Sequence, residues 1–359
     1  MRYELSPKTT LILRGPASVA VLTGEATILG APLQPNLRQT VPQKRQLPVE
    51  TQSHAQLDVV LGKSAEAFET HGSSIPESWR AAATALSTME EGRVIILGPT
   101  DAGKSTLCTY LVNTLVQNIA NLRVIDADIG QSDLGPPTTI SKAAPTKPIA
   151  SLPELVPDAR LFIGHTSPGY VERKLIRGIQ RFAAEDKSTL TIINTDGWIE
   201  DSDAIRYKSN LVSEVNPNLV LGLAIGDELQ PILNGIGSLT MKVDVPNNVL
   251  KRSRPDRRSI RFDSYRKFLE DGTISRIELG EVQIITPKNL PSVTSGNLTK
   301  LRNLIVGILD LEEYLIQIGI LMGIDKDAVR IYSKQLPEIR RIELGRIKIS
   351  TSGKEIGFL

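Results

Sequence analysis

Three textures of apolar and polar residues follow one another along the chain. Between Thr9 and Leu33, "TTLILRG", "ASVAVLTG" and "EATILGAPL" are short runs rich in β-branched residues, each closing near Gly or Pro. That grammar predicts a small antiparallel β unit. Gln34 to about Ser74 is polar and mixed, and "VPQKRQLPVETQSHAQLDVVLG" predicts further, irregular strands. "SSIPESWRAAATALSTME" then reads as a helix entered at Ser74 or Pro76. From Gly92 to about Lys267 the rhythm changes. "RVIILG", "LRVIDADIG", "TLTIINTDGW" and "NLVLGLAIG" are nearly unbroken apolar runs. They alternate with helical stretches such as "KSTLCTYLVNTLVQNIA", where Leu107, Leu111, Leu115 and Ile119 recur every fourth residue. Buried strands alternating with helices imply a mainly parallel sheet covered on both faces, with ligands beyond the carboxyl ends of its strands. From about Thr273 strand-like pieces return, up to "RRIELGRIKISTSGKEIGFL".

The expected fold class is therefore α/β: a central kinase-like P-loop NTPase sheet between two small β domains. The expected boundaries are 1–74 for the N-terminal β domain, 75–270 for the P-loop domain and 271–359 for the C-terminal β domain. "RIELGEVQI" and "RIELGRIKI" share a phrase, which reads as strand grammar, not as a repeat.

Composition changes this picture little. The chain has 359 residues, with 42 Lys and Arg against 40 Asp and Glu, so overall charge does not announce a nucleic-acid binder. A single cysteine, Cys108, excludes an intrachain disulfide and fits a reducing, cytoplasmic setting; its place in a helix predicts a buried core thiol. "MRYELSPKTT" has no apolar signal region. In the most apolar window, "NLIVGILDLEEYLIQIGILMGI", Asp310, Glu312 and Glu313 argue against a membrane span.

The sharpest chemistry lies in "GPTDAGKST". Gly98 to Ser105 satisfies G-x-x-x-x-G-K-[ST] between an apolar strand and an amphipathic helix. Backbone N–H groups of Gly98, Thr100, Asp101, Ala102 and Gly103 and the helix N-terminus are expected to cradle phosphate. Lys104 is expected to reach the β- and γ-phosphates, Ser105 to ligate Mg²⁺ and Thr106 to line the phosphates. The guanine-reading N-K-x-D pattern is absent and Pro99 stands where some ATPases carry a second lysine, so ATP is the expected nucleotide. Asp126 and Asp128 share a strand face in "VIDADIGQSD". Asp128 is placed to hold Mg²⁺ or to accept a hydroxyl proton, with Gln131 beside the nucleophile; Asp126 is either a second functional carboxylate or a turn cap.

Further on, "LKRSRPDRRSIRFDSYRKF" predicts a helix capped by Ser253, with Arg254, Arg257, Arg258 and Arg261 on one broad face and Ile260, Tyr265 and Phe268 on the packed side. Guanidinium forks facing a triphosphate suit a lid. Trp198, after a strand end, either stacks a terminal base or sits in the core with its N–H on a carbonyl. His165 reads as a structural hydrogen-bonding residue.

In order, "GPTDAGKST", "DADIGQ", "GHTSPG", "INTDGW" and "KRSRPDRR" resemble the motifs of the polynucleotide 5′-hydroxyl kinases related to the kinase subunit of the eukaryotic mRNA cleavage and polyadenylation machinery. Archaeal members of that family are lone RNA kinases of about this size. The resemblance spans Leu11 to Lys267 and weakens beyond. It implies Lys104 and Ser105 as the phosphate-loop lysine and metal-binding serine, and Asp128 with Gln131 as the residues that activate the 5′-hydroxyl. It implies Thr166, Ser167, Asn194, Thr195 and Trp198 on the acceptor side, and Arg252, Arg257, Arg258 and Arg261 in the lid, one or two of them on the transferring phosphoryl group. Tyr170-Val171 departs from the eukaryotic pattern, where a Thr-Asn pair is usual. The implied partners are ATP, Mg²⁺ and RNA or DNA 5′-hydroxyl ends. A scaffold that holds ATP without turnover and an ordinary ATPase are the competing readings.

Overall fold

A computed structural model describes residues 1–89, 91–185, 189–288, 290, 298–334 and 341–359. It shows the expected architecture: a mixed, mostly parallel P-loop sheet with helices from the middle of the chain, and antiparallel sheets from the N- and C-terminal segments. The chain divides into two compact units.

The first unit comprises Met1–Val124, Ala144–Val156 and Ala183–Asp256. Its N-terminal part forms one antiparallel sheet of four strands in the order Arg2–Leu5, Ala55–Leu61, Ala17–Thr23, Gln39–Val41. A second sheet is centred on Thr9–Arg14, paired antiparallel to both Gln46–Thr51 and Glu66–His71. Five consecutive residues of Thr9–Arg14 are buried, which is why "TTLIL" lacks the alternation of a half-exposed strand. The parallel strands of this unit run Leu190–Thr195, Gly92–Leu97, Leu219–Leu223, Leu239–Val243. The first and third of these are wholly buried. Trp79, on the helix Glu77–Ser87 entered at Pro76, is fully buried and donates its indole N–H to the carbonyl of Asp244 at 2.9 Å.

The second unit comprises Ile125–Ala143, Pro157–Phe182 and Arg257–Leu359. Its largest sheet runs Thr273–Glu278, Ala328–Ser333, Leu315–Ile324, Leu304–Leu309, Arg341–Ile349, Gln283–Ile285, and Glu355–Phe358 pairs with Arg341–Ile349. It is antiparallel apart from the Gln283–Ile285 edge. The apolar window interrupted by acidic residues becomes a hairpin: Leu309 pairs with Leu315, and Asp310, Glu312 and Glu313 occupy the turn. No helix among the described residues is long and apolar enough to cross a membrane. The two "RIELG" phrases differ in structure. Arg276–Glu278 ends one strand, whereas Arg341–Gly345 begins the unbroken strand Arg341–Ile349.

Phe162, Tyr265, Leu269, Ile305 and Ile320 share one core cluster in this unit. Gly307 lies where the ring of Phe162 presses on the sheet, and a Cβ there would come within 2.7 Å of the Phe162 Cβ and Cδ1. Overfilling a packed core costs about 1–3 kcal/mol. Gly307→Ala is accordingly expected to lower the unfolding free energy by that amount, read as a lower urea midpoint at unchanged slope; an unchanged midpoint would show that this contact relaxes freely.

Candidate active site

The phosphate loop takes its shape from two left-handed residues, Asp101 at φ +60° and Gly103 at φ +99°. Gly103 caps the helix Lys104–Leu115 without a side-chain cap, an N-terminus of the kind that suits an anion. Lys104 is buried, and its Nζ donates to the carbonyls of Gly98 at 3.0 Å and Pro99 at 2.8 Å, so the ammonium lies along the loop. Ala102 is buried; Thr106, one residue past Ser105, is half-buried. Ser105 Oγ accepts from Asn194 Nδ2 at 3.3 Å, and Thr195 Oγ1 donates to the carbonyl of Ile96 at 2.8 Å. Asn194 thus meets the serine expected to bind metal, while the Thr195 hydroxyl ties two neighbouring strands together.

Gly197 lies against this loop. A Cβ there would fall 2.5 Å from the Thr100 nitrogen, and Thr100 Oγ1 donates to the Gly197 carbonyl at 3.3 Å. The residue before it, Asp196, is buried with Lys208, whose side chain has no exposure. Lys208 Nζ reaches Asp196 Oδ2 at 2.9 Å and the Asp196 carbonyl at 3.0 Å, and Tyr207 donates to Oδ2 at 2.9 Å. The other oxygen, Oδ1, accepts the Trp198 N–H at 3.0 Å. Trp198 is half-buried; its ring stacks on Tyr207 with centroids 6.0 Å apart, and its indole N–H meets the carboxylate of Asp201 at 2.8 Å. The partner is a carboxylate at a helix start, not the core carbonyl that one reading of the sequence expected.

Arg252 is bound to the phosphate loop. Its Nε and Nη2 lie 2.7 and 2.6 Å from Asp101 Oδ1, and its backbone N–H donates to Asp101 Oδ2 at 2.9 Å. The helix Arg254–Leu269 begins directly afterwards. Ser253 caps it as expected: the Asp256 N–H donates to Ser253 Oγ at 3.2 Å and the Ser253 N–H to Asp256 Oδ2 at 3.0 Å.

In the second unit the Asp126–Leu134 loop is organised by buried carboxylate. Asp126 is fully buried, and its Oδ2 accepts from Ser132 Oγ at 3.0 Å, Asp133 N at 2.7 Å and Leu134 N at 3.1 Å. Burial, reinforced by the charges of Asp133 and Asp128, outweighs those N–H donors and pushes its carboxyl up to about 7. Asp126 therefore holds its loop. Asp128, two residues on, is only half-buried, with Oδ1 accepting from the Gly130 N–H at 3.1 Å and the Gln131 N–H at 2.9 Å. Gln131 Nε2 donates to the Gly130 carbonyl at 2.8 Å and the Arg257 carbonyl at 3.3 Å, joining this loop to the arginine helix. A Cβ on Gly130 would lie 2.8 Å from the Thr166 carbonyl, so "DADIGQ" and "GHTSPG" meet backbone to backbone. Ser167 donates its N–H to His165 Nδ1 at 2.9 Å; His165 is a buried structural residue whose pKa burial lowers.

The lid arginines differ. Arg261 is forked onto Glu355, Nε to Oε1 at 2.6 Å and Nη2 to Oε2 at 2.9 Å. Arg258 lies 3.8 Å from the same carboxylate with 65% of its side chain exposed. Tyr265 and Leu269 form the packed side, with Phe268 and Ile260 partly covered.

Asp196, Tyr207, Lys208, Gly197 and Glu355 support the site and were not found from sequence, nor was the bond of Asp101, an expected phosphate-loop residue, to Arg252. A lysine in an amphipathic helix reads as a solvated charge. "TDGW" itself was the one available signal for Asp196 and Gly197.

A glycine-shaped phosphate loop capping a helix, with a lysine along it and a serine at its mouth, defines a P-loop phosphate-binding protein. Residues 98–271 match the family model of the mRNA cleavage and polyadenylation factor CLP1 P-loop. Over most of its length the chain is similar to archaeal polyribonucleotide 5′-hydroxyl-kinases. It is 29% identical to a polyribonucleotide 5′-hydroxyl-kinase of Pyrococcus furiosus, covering 76% of this chain and 92% of that protein. It is 28% identical to one of Methanocaldococcus jannaschii, covering 74% and 90%. Its fold matches the wild-type Clp1p chain solved in complex with Pcf11p (454–563), with a TM-score of 0.70 over 97% of each chain at 13% identity.

Two stability measurements probe the buried carboxylates. Removing one partner of a buried ion pair costs about 3–5 kcal/mol. Lys208→Met is expected to lose that much in urea unfolding, and adding Asp196→Asn to recover part of it; full stability of Lys208→Met would show that Asp196 has other sufficient donors. For Asp126, a folded pKa raised from the ordinary 3.8 to about 7 means that the folded chain keeps a proton the unfolded chain has lost between those values. Its contribution to stability therefore falls as pH rises from about 4 to about 7 and is flat above. Asp126→Asn is expected to remove that part of the slope, and an unchanged slope would assign it to other groups.

Proposed function

We propose that this chain transfers the γ-phosphoryl group of ATP to the 5′-hydroxyl of a polynucleotide, RNA in the first instance. The observation that carries the reading is the Asp128–Gln131 loop. It holds a half-buried carboxylate with two backbone N–H groups, while its Gly130 abuts the Thr166 backbone and its Gln131 meets the start of the arginine helix. A scaffold that does not turn ATP over needs no such carboxylate, whereas an ATPase would use one to orient water. The names of the relatives agree with this reading.

In the reaction the 5′-oxygen forms a bond to the γ-phosphorus as the bond to the β-γ bridging oxygen breaks, and ADP leaves. Asp128 accepts the hydroxyl proton. Lys104, together with the N–H groups of the loop from Gly98 to Thr106, neutralises charge on the β- and γ-phosphates. The donor set is all oxygen, as Mg²⁺ requires. Ser105 and Asp128 would hold the ion, which when bound offsets negative charge on the triphosphate.

Asn194 orients Ser105, and Trp198 offers its ring to the terminal base. Arg252 fastens the beginning of the lid to Asp101. Arg258, the most exposed of the set, contacts the transferring group, and Arg261, aimed by Glu355, completes the cationic face with Arg257. Gln131, Thr166 and Ser167 line the acceptor side.

With γ-labelled ATP, Mg²⁺ and a 5′-hydroxyl oligoribonucleotide, Lys104→Ala and Asp128→Asn are each expected to lower transfer by at least about a hundredfold, with unchanged circular dichroism. Retained transfer in Asp128→Asn would remove the proposed base.

A further inference from the structure

Tyr170 closes the "GHTSPGY" segment and is 59% exposed, an unusual position for an aromatic side chain. It does not stand alone. Its ring lies 4.5 Å from that of buried His165 and 6.1 Å from that of Phe358, which is 63% exposed. Phe358 reaches this place because Glu355–Phe358 pairs antiparallel with Arg341–Ile349, with Phe358 opposite Ile347. His165 is buried beside the pair, its ring centroid 4.5 Å from that of Tyr170 and 6.4 Å from that of Phe358.

Two residues after Tyr170 the helix Glu172–Glu185 begins. Leu175, Ile176 and Ile179 bury one face of it, while Arg173 and Arg177, one turn apart, are exposed. All of these residues belong to the second unit. The platform is continuous along the backbone with the acceptor loop: Gly130, two residues after Asp128 in that loop, abuts Thr166, four residues before Tyr170. Exposed rings beside a row of guanidinium groups are the combination that holds single-stranded nucleic acid, rings taking bases and cations tracking phosphates.

We propose that Tyr170 and Phe358, with Arg173 and Arg177, bind the nucleotides of the acceptor strand that follow its first. The assignment rests on the kinase reading for its occupant, a single-stranded polynucleotide. It also explains why an aromatic residue stands where the related eukaryotic pattern carries threonine.

The test is equilibrium binding of a single-stranded 5′-hydroxyl oligoribonucleotide labelled with fluorescein at its 3′ end. Tyr170→Ala and Phe358→Ala are each expected to weaken binding about tenfold. Tyr170→Phe and Phe358→Tyr are expected to stay near wild type, and ATP affinity to hold throughout. The double variant Arg173→Gln/Arg177→Gln is expected to flatten the dependence of log Kd on log salt by about 1.4, at about 0.7 per phosphate. Wild-type binding in both alanine variants overturns the proposal, as does equal weakening by the aromatic replacements. Phosphorylation of a nucleoside 3′-monophosphate, which needs only the first nucleotide, separates the two readings. Ring-dependent binding without any transfer would remove the kinase and leave the platform standing. Transfer to both acceptors with ring-independent binding would do the reverse.

Discussion

A carboxylate taken out of water at the end of a strand must be met by donors, and this chain meets that demand at Asp126 and at Asp196. Asp126 is answered by the hydroxyl of Ser132 and the N–H groups of Asp133 and Leu134. Asp196 is answered by Lys208, Tyr207 and the N–H of Trp198. In each case satisfying the buried oxygen fixes the loop that follows, and the residue two positions on, Asp128 or Trp198, is left half-buried. An unpaired buried carboxylate costs several kcal/mol, so these loops have little freedom to rearrange. Preorganisation of that kind is what a phosphoryl transfer needs, because nearly all of its catalysis is positioning and charge.

The same economy of donors shapes the phosphate loop and the lid. Asp101 sits in the left-handed region and spends both oxygens on Arg252, so the residue that opens the arginine segment is fixed to the loop that binds phosphate. Farther along the helix, Glu355 takes the guanidinium of Arg261 while leaving Arg258 largely exposed. A row of four arginines in sequence thus becomes a graded set, from structural anchor to exposed cation. Glycines enter where backbones must touch: Gly197 against Thr100 and Gly130 against Thr166 bring separate motifs into register without intervening side chains.

Much of this was legible in the sequence. Apolar runs such as "RVIILG" and "TLTIINT" are strands because they are buried on both faces, and the four-residue spacing of Leu107, Leu111 and Leu115 is a helix because that face is core. The Ser253 cap, the buried Cys108 and the structural character of His165 follow from local chemistry that tertiary context did not override. The buried pair Lys208–Asp196 and the anchor Asp101–Arg252 were not legible, because each joins residues distant in sequence or hidden in a helix that reads as amphipathic. Glu355 was hidden for the same reason: its partner lies 94 positions earlier. Asp126 stood between two readings until burial decided it in favour of a structural role.

The destination of the phosphate is the most direct measure of the chemistry. After incubation with γ-labelled ATP, Mg²⁺ and a 5′-hydroxyl oligoribonucleotide, complete nuclease digestion locates the label. Recovery of the label in the 5′-terminal nucleotide alone is the predicted result. Label on the 3′ end, or released only as inorganic phosphate with the acceptor present, would contradict transfer to the 5′-hydroxyl.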